Sequence, residues 1–105
     1  MNENNMQQMM QRAQEMQSRM SDLQNELSAR RFEAGSGGGM VQVAVSGALR
    51  VLSIEIESSL VNGGDQAMLQ DLIAAGVNAA LAKAQDSVQK EIAQLQQTML
   101  TGLAG

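Results

Sequence analysis

The chain is 105 residues long, carries 7 basic against 11 acidic side chains for a formal charge of −4, and has no His, Cys, Trp, Tyr or Pro. Without His or Cys there is no Ser-His or Cys-His nucleophile and no nitrogen- or sulfur-ligated zinc, so only carboxylates, amides and carbonyls remain to hold a hard cation. A single Phe is a poor platform for stacking unpaired bases, and a net acidic chain lacks the overall basic footprint common among nucleic-acid binders.

The length favours one domain spanning residues 1–105. Its ends, 1–5 and 101–105, are polar or small and are expected to fray. The opening Met1-Asn-Glu-Asn-Asn has no basic stretch and no continuous apolar run, so no signal peptide is expected, and no uninterrupted apolar segment suggests a membrane span.

From about Met6 to about Ser28 the spacing predicts a helix. Met6, Met9, Ala13, Met16, Met20, Leu23 and Leu27 recur at alternating three- and four-residue intervals, the spacing of a coiled-coil seam. Between these rungs the residues are polar, so the stripe is narrow and calls for another helix beside it. At ~1.5 Å per residue the helix is roughly 35 Å long.

Arg30–Ala34 reads as a short strand and Gly35–Gly39 as the turn after it. Met40–Ser46 alternates Val41, Val43 and Val45 against Gln42, Ala44 and Ser46, a half-buried strand. Gly47-Ala48 is a tight turn into a third strand, Leu49–Glu57. There Leu52, Ile54 and Ile56 share one face and Ser53, Glu55 and Glu57 the other. Short turns imply an antiparallel meander of about three strands.

Ser58–Gly64 reads as a loop and Asp65 as the N-cap of a second long helix running to about Leu100. That helix would span on the order of 50 Å, against a radius of gyration of ~13 Å for a compact chain of this size. Its end must project, and the apolar Val88, Ile92, Leu95 and Met99 must bear on the other helix or on a partner chain. The fold class is therefore α+β, with long helices at both ends of a small meander, and self-association is expected.

Arg12, Arg19 and Arg30 fall near one azimuth if the first helix continues that far, with Arg31 adjacent. Arg12 and Arg19 are two turns apart, ~10.5 Å, and Lys83 and Lys90 repeat the interval on the last helix. Cations so spaced suit successive phosphates of a duplex. They equally suit a solvated face with helical ion pairs, since Glu15–Arg19 and Glu26–Arg30 have the favourable acid-first order. Glu55, Glu57 and Asp65 offer carboxylates for acid–base work or a hard metal, or simply a wet strand face beside a loop acid. Gly37–Gly39 resembles an anion nest, but it lacks the Lys-Ser/Thr of a phosphate loop and fits a hairpin turn better. The nine methionines suit an adaptable surface, but four occupy seam rungs, where packing accounts for them.

The whole arrangement resembles the YbaB/EbfC family of bacterial nucleoid-associated proteins. The resemblance runs over about residues 6–103. It rests on Met9-Met-Gln-Arg-Ala-Gln-Glu-Met16, on Gly38-Gly-Met-Val-Gln-Val-Ala-Val-Ser-Gly47, and on Ile54-Glu-Ile-Glu57 followed by Ser59-Leu60. It continues through Met68-Leu-Gln-Asp-Leu-Ile-Ala-Ala-Gly-Val-Asn-Ala-Ala80. The resemblance implies an intertwined homodimer whose helices project as arms around double-stranded DNA, bound with little sequence preference, in the cytoplasm on the nucleoid. By position the contacts fall on Arg12, Arg19, Lys83 and Lys90, with Arg30 and Arg31 next. The last helix carries only these two Lys, fewer than relatives often have. Neither enzyme activity, cofactor, metal, small-molecule substrate nor membrane is implied. The alternative is an oligomeric helical scaffold with a protein partner and no DNA binding, which a net charge of −4 would suit.

Overall fold

A computed structural model describes residues 3–104, with side chains to 102. In chain order the elements are helix α1 (Glu3–Ala29), strand β1 (Arg31–Ser36), a 3-10 turn at Gly37–Gly39, strands β2 (Val41–Ser46) and β3 (Val51–Ile56), a short helix α2 (Ser58–Asn62) and helix α3 (Gln66–Ala104). The molecule measures 75 × 19 × 15 Å with a radius of gyration of 20.9 Å, far beyond the ~13 Å of a compact chain of this length. Both helices outrun their expected limits and continue through 3–5 and 101–104, where fraying was expected. The same expectation at residues 1, 2 and 105 lies outside the described residues.

The three strands form one antiparallel sheet in the order β1-β2-β3. The valine face of β2 is realised: Val41, Val43 and Val45 are fully buried and form the core with Phe32, Leu60, Ala80 and Ala84, but on the opposite face only Gln42 is exposed, Ala44 and Ser46 being buried as well. Small residues on α3 make this packing close. A Cβ at Gly76 would stand 3.1 Å from Val43 Cγ2 and 3.3 Å from Val41 Cγ1, so glycine is what lets α3 lie directly on β2. Asp65 caps α3 as expected, its Oδ1 accepting the Met68 N–H at 3.0 Å.

Two local features differ from the sequence reading. Ser58–Asn62 is a single helical turn rather than a loop: the Leu60 and Val61 N–H groups donate to the Glu57 carbonyl, and Leu60 is thereby swung into the core. One buried side chain is enough to organise a segment too short to show helical periodicity. The even alternation expected along β3 is also interrupted. Ala44 pairs with Ser53 but Val45 with Val51, leaving Leu52 as the extra residue of a bulge. Ile54 and Ile56 keep their expected face, opposite Val43 and Val41. Helix α3, however, lies over β1 and β2, so Val51, Leu52 and Ile54 stay exposed on the edge strand.

The root of α1 is held by the β2–β3 turn. The Gly47 N–H donates to the Arg30 carbonyl at 3.0 Å and the Ala48 N–H to the Ser28 carbonyl at 3.3 Å, satisfying acceptors that a helix C-terminus leaves open. The approach is so close that a Cβ on Gly47 would lie 1.8 Å from the Leu27 carbonyl oxygen. The turn closes with Leu49 in the left-handed region, φ 63°, a conformation costing a non-glycine residue about 1 kcal/mol. Gly47→Ala is accordingly expected to destabilise the fold by at least about 3 kcal/mol, because backbone rather than a flexible side chain must move. Gly102→Ala, in open space near the end of α3, should instead be neutral or stabilising by up to about 1 kcal/mol. Chemical denaturation of the two variants checks the contrast.

Candidate nucleic-acid interface

Beyond the sheet, α1 and the second half of α3 form a two-helix arm. Arg19, Asp22, Leu23 and Glu26 share one groove with Glu91, Gln94, Leu95 and Thr98. Arg12, Glu15, Met16 and Arg19 share the next with Thr98, Met99 and Gly102. Residue numbers fall on one helix as they rise on the other, so the pair is antiparallel. The projecting apolar face of α3 thus bears on α1 within the same chain: Ile92, Leu95 and Met99 are half-buried, as are Met16, Met20 and Leu23. Burial fades along the seam, from Leu27 at 1% exposure to Met9 at 57% and Met6 at 56%.

The expected cations meet different fates. Arg12 and Arg19 sit on this arm and make no ion pair or side-chain hydrogen bond among the described residues. The possible Glu15–Arg19 pair does not form. Arg30 lies one residue past the end of α1, so the helical stripe stops at Arg19. Its guanidinium is shared between Glu91 Oε1 at 2.6 Å and Glu26 Oε1 at 2.8 Å, and those bonds, Glu91 foremost, raise its pKa above the ordinary arginine value. It therefore clips the root of α1 to α3. Arg31 pairs with Glu33 on β1 at 2.8 Å, Lys90 with Asp86 one turn before it at 3.0 Å, and Lys83 donates to the Glu33 carbonyl at 2.9 Å. The structure therefore brings Arg12 and Arg19 into one groove and leaves Arg30, Arg31, Lys83 and Lys90 engaged elsewhere.

Arg50 is a cation that the sequence reading passed over. It follows Leu49 at the β2–β3 turn, where its carbonyl accepts the Ser46 N–H at 2.8 Å and its own N–H donates to Ser46 Oγ at 3.4 Å, while its guanidinium makes no ion pair or hydrogen bond among the described residues. Its position directly after a predicted turn was the available signal for an exposed charge.

The other candidates resolve into structural roles. Asp65 is the cap of α3, Glu57 precedes α2, and Glu55 lies on the sheet face turned away from α3, lining a shallow hollow with Arg31 and Glu33. Among the described residues no three acidic groups converge as metal ligands. Gly37–Gly39 makes the β1–β2 turn, with Gly38 at φ 67°. No helix among the described residues is long and apolar enough to cross a membrane.

The sequence profile of the YbaB/EbfC DNA-binding family matches residues 1–99. The chain belongs to this family. It is 45% identical over 91 residues to a nucleoid-associated protein of Pelotomaculum thermopropionicum, covering 87% of each chain. It is 46% identical over 88 residues to one from Alkaliphilus metalliredigens, covering 84% of this chain and 77% of the relative. A third, from Desulfotalea psychrophila, is 40% identical over 87 residues, covering 83% and 82%. The crystal structure of an uncharacterized protein from Helicobacter pylori superposes with a TM-score of 0.61 at 23% identity, covering 77% of this chain and 93% of that one, a likeness of fold.

Arg30 contributes to this YbaB/EbfC arm by fastening its base. Arg30→Leu should speed amide hydrogen exchange in residues 20–29 and 88–95, with the sheet amides of β2 unchanged. Uniform protection in both segments would show that the seam alone fixes the arm.

Proposed function

We propose that this chain is a nucleoid-associated, non-enzymatic protein that binds duplex DNA as a homodimer with little sequence preference, gripping phosphates with Arg12 and Arg19 on its helical arms. The observation that carries this reading is the pairing of family membership with two arginines that face one groove and have no side-chain partner among the described residues. An arginine already bonded to a carboxylate must give up that bond to take a phosphate, whereas Arg12 and Arg19 have none to lose. Lys90, Arg31, Lys83 and Arg30, each already bonded, are second-rank contacts, and so is Arg50, which is unpaired among the described residues but lies at the β2–β3 turn outside that groove. Binding would proceed by neutralising phosphates and releasing their counterions, a term indifferent to base sequence. The cytoplasmic nucleoid is the compartment this function implies, and neither a cofactor nor a small-molecule substrate has a part in it.

Self-association is supported by β3. Its outer edge has no strand beside it, and Val51, Leu52 and Ile54 present apolar surface there. An exposed apolar edge invites a second strand. The scaffold alternative draws on the same edge and on the acids Glu15, Asp22, Glu26 and Glu91 that share the arm grooves.

Light scattering coupled to gel filtration is expected to give about twice the chain's 11.2 kDa. Ile54→Lys, which puts a charge into the open edge, should shift the protein to monomer while leaving its helix content intact. A monomeric parent across micromolar concentrations would refute the dimer.

Arg12 and Arg19 of each chain give four phosphate contacts per dimer, so log K against log salt should slope at about −3 to −4, from ~0.9 per phosphate. Arg12→Glu with Arg19→Glu should flatten the slope and weaken binding equally on unrelated duplexes. Fluorescence anisotropy with two such duplexes at several salt concentrations is the measurement. An intact dimer that binds neither duplex at low salt would favour the scaffold. An unchanged double variant would move the contacts to the second-rank cations.

A further inference from the structure

The chain has no Cys, Trp, Tyr or His, so methionine is its one readily oxidised side chain. Six of its nine methionines belong to the arm: Met6, Met9, Met10, Met16, Met20 and Met99. They are not spread evenly over its surface. Met9 lies on one face with Arg12, and Met16 and Met99 form the apolar wall of the groove that holds both Arg12 and Arg19. Their accessibility is graded, since Met9 is 57% exposed while Met16 and Met99 are half-buried. Leucine would serve a helix seam at these rungs equally well for packing, so methionine adds only its softness and its sulfur chemistry.

We propose that Met9, Met16 and Met99 are a reversible sulfoxidation site that loosens the arm and blunts the two arginines beside it. Hydrogen peroxide supplies the oxidant. The thioether sulfur attacks one peroxide oxygen, an S–O bond forms as the O–O bond breaks, sulfur gives up two electrons, and the second oxygen leaves as water with the displaced proton. The product is polar and strongly hydrogen-bond accepting. On Met16 and Met99 it breaks an apolar contact of the α1–α3 seam, which is already thin there. On all three it sets a sulfoxide oxygen within reach of a guanidinium that has no other partner among the described residues. The structural half of this proposal stands alone, and the effect on DNA rests on the function proposed above.

The test uses the full chain treated with hydrogen peroxide, mapped by peptide mass, and followed by thermal melting and by anisotropy with a duplex probe. Met9 should oxidise ahead of Met16 and Met99. As the latter two convert, the thermal midpoint should fall and duplex affinity should weaken about tenfold, the loss of roughly one strong contact. Methionine sulfoxide reductases should restore both. The Met9→Leu, Met16→Leu, Met99→Leu triple variant, a volume-conserving change, should keep its midpoint and affinity through the same treatment. Met68→Leu, at an exposed body methionine, should give no protection. A fully sulfoxidised groove with unchanged midpoint and affinity would overturn the proposal, as would a triple variant that loses as much as the parent. If the reduced parent binds no duplex, the DNA reading fails by itself, and the midpoints of parent and triple variant still decide whether the groove is the sensitive site.

Discussion

One uninterrupted helix must satisfy two different surfaces, and the rest of the molecule follows from how it does so. Helix α3 covers the sheet with its first half and pairs with α1 along its second. A flat sheet face and a narrow helical stripe ask for different side chains. Along the sheet α3 presents Gly76, Ala80 and Ala84, small residues that let its backbone approach the valines of β2. Along the arm it presents Ile92, Leu95 and Met99, which must reach across to another cylinder. With no break in α3 to absorb an error, α1 can meet that second face only if its root is set correctly. The Gly47 contact with the end of α1 and the Arg30 clip to Glu91 and Glu26 do this from two sides. The clip is exposed and of modest strength, so the backbone contact at Gly47 is the more demanding of the two.

The same geometry sorts the cations. Apart from Arg50 at its turn, those near the sheet or the helix roots find carboxylates or carbonyls, because several elements converge there: Arg30 meets two helices, Arg31 and Lys83 both meet Glu33. Out along the arm only two helices run side by side, and the groove between them offers a side chain few partners. Arg12 and Arg19 are unpaired there among the described residues, although Glu15 lies one turn from Arg19 in a favourable order. An exposed helical pair of that kind is worth only ~0.3–0.5 kcal/mol, little enough for side-chain entropy to keep it open.

What could be read from residues alone was whatever depends on repetition. The helix of α1, the valine face of β2 and the Asp65 cap each draw on several residues or on a fixed local bond, and each is realised, although Ala44 and Ser46 on the other face of β2 are buried too. The features that escaped depend on single contacts between distant segments. Leu60 turns a loop into a helical turn by entering the core. Leu52 makes a bulge where β3 must rejoin β2 after Leu49 takes a left-handed turn. The seam was equally legible as a pattern, yet nothing in its spacing distinguishes the buried Leu27 from the exposed Met6 and Met9. That difference is set by where α3 lies alongside. For the arginine pair, spacing identified Arg12 and Arg19 but also admitted Arg30, which the end of α1 removes from the stripe.

Net charge is a weak guide for a molecule of this shape. At physiological ionic strength, fields between exposed charges decay over about 8 Å, whereas the chain extends 75 Å. A phosphate beside Arg12 is screened from Glu55 and Glu57 on the sheet, and the total of −4 is not the charge it meets. It meets Arg12, Arg19 and the nearest acids, Glu15 and Asp22. That local set is close to neutral, so in the proposed function long-range steering would be slight and attraction would depend on direct contact between guanidinium and phosphate. A grip of this kind would act once the duplex is already against the arm. It therefore suits a protein held at high local concentration on its ligand better than one that must capture it from a distance. An elongated fold lets such a contact be local even in an acidic chain, and even on α1, where four acids stand against Arg12 and Arg19.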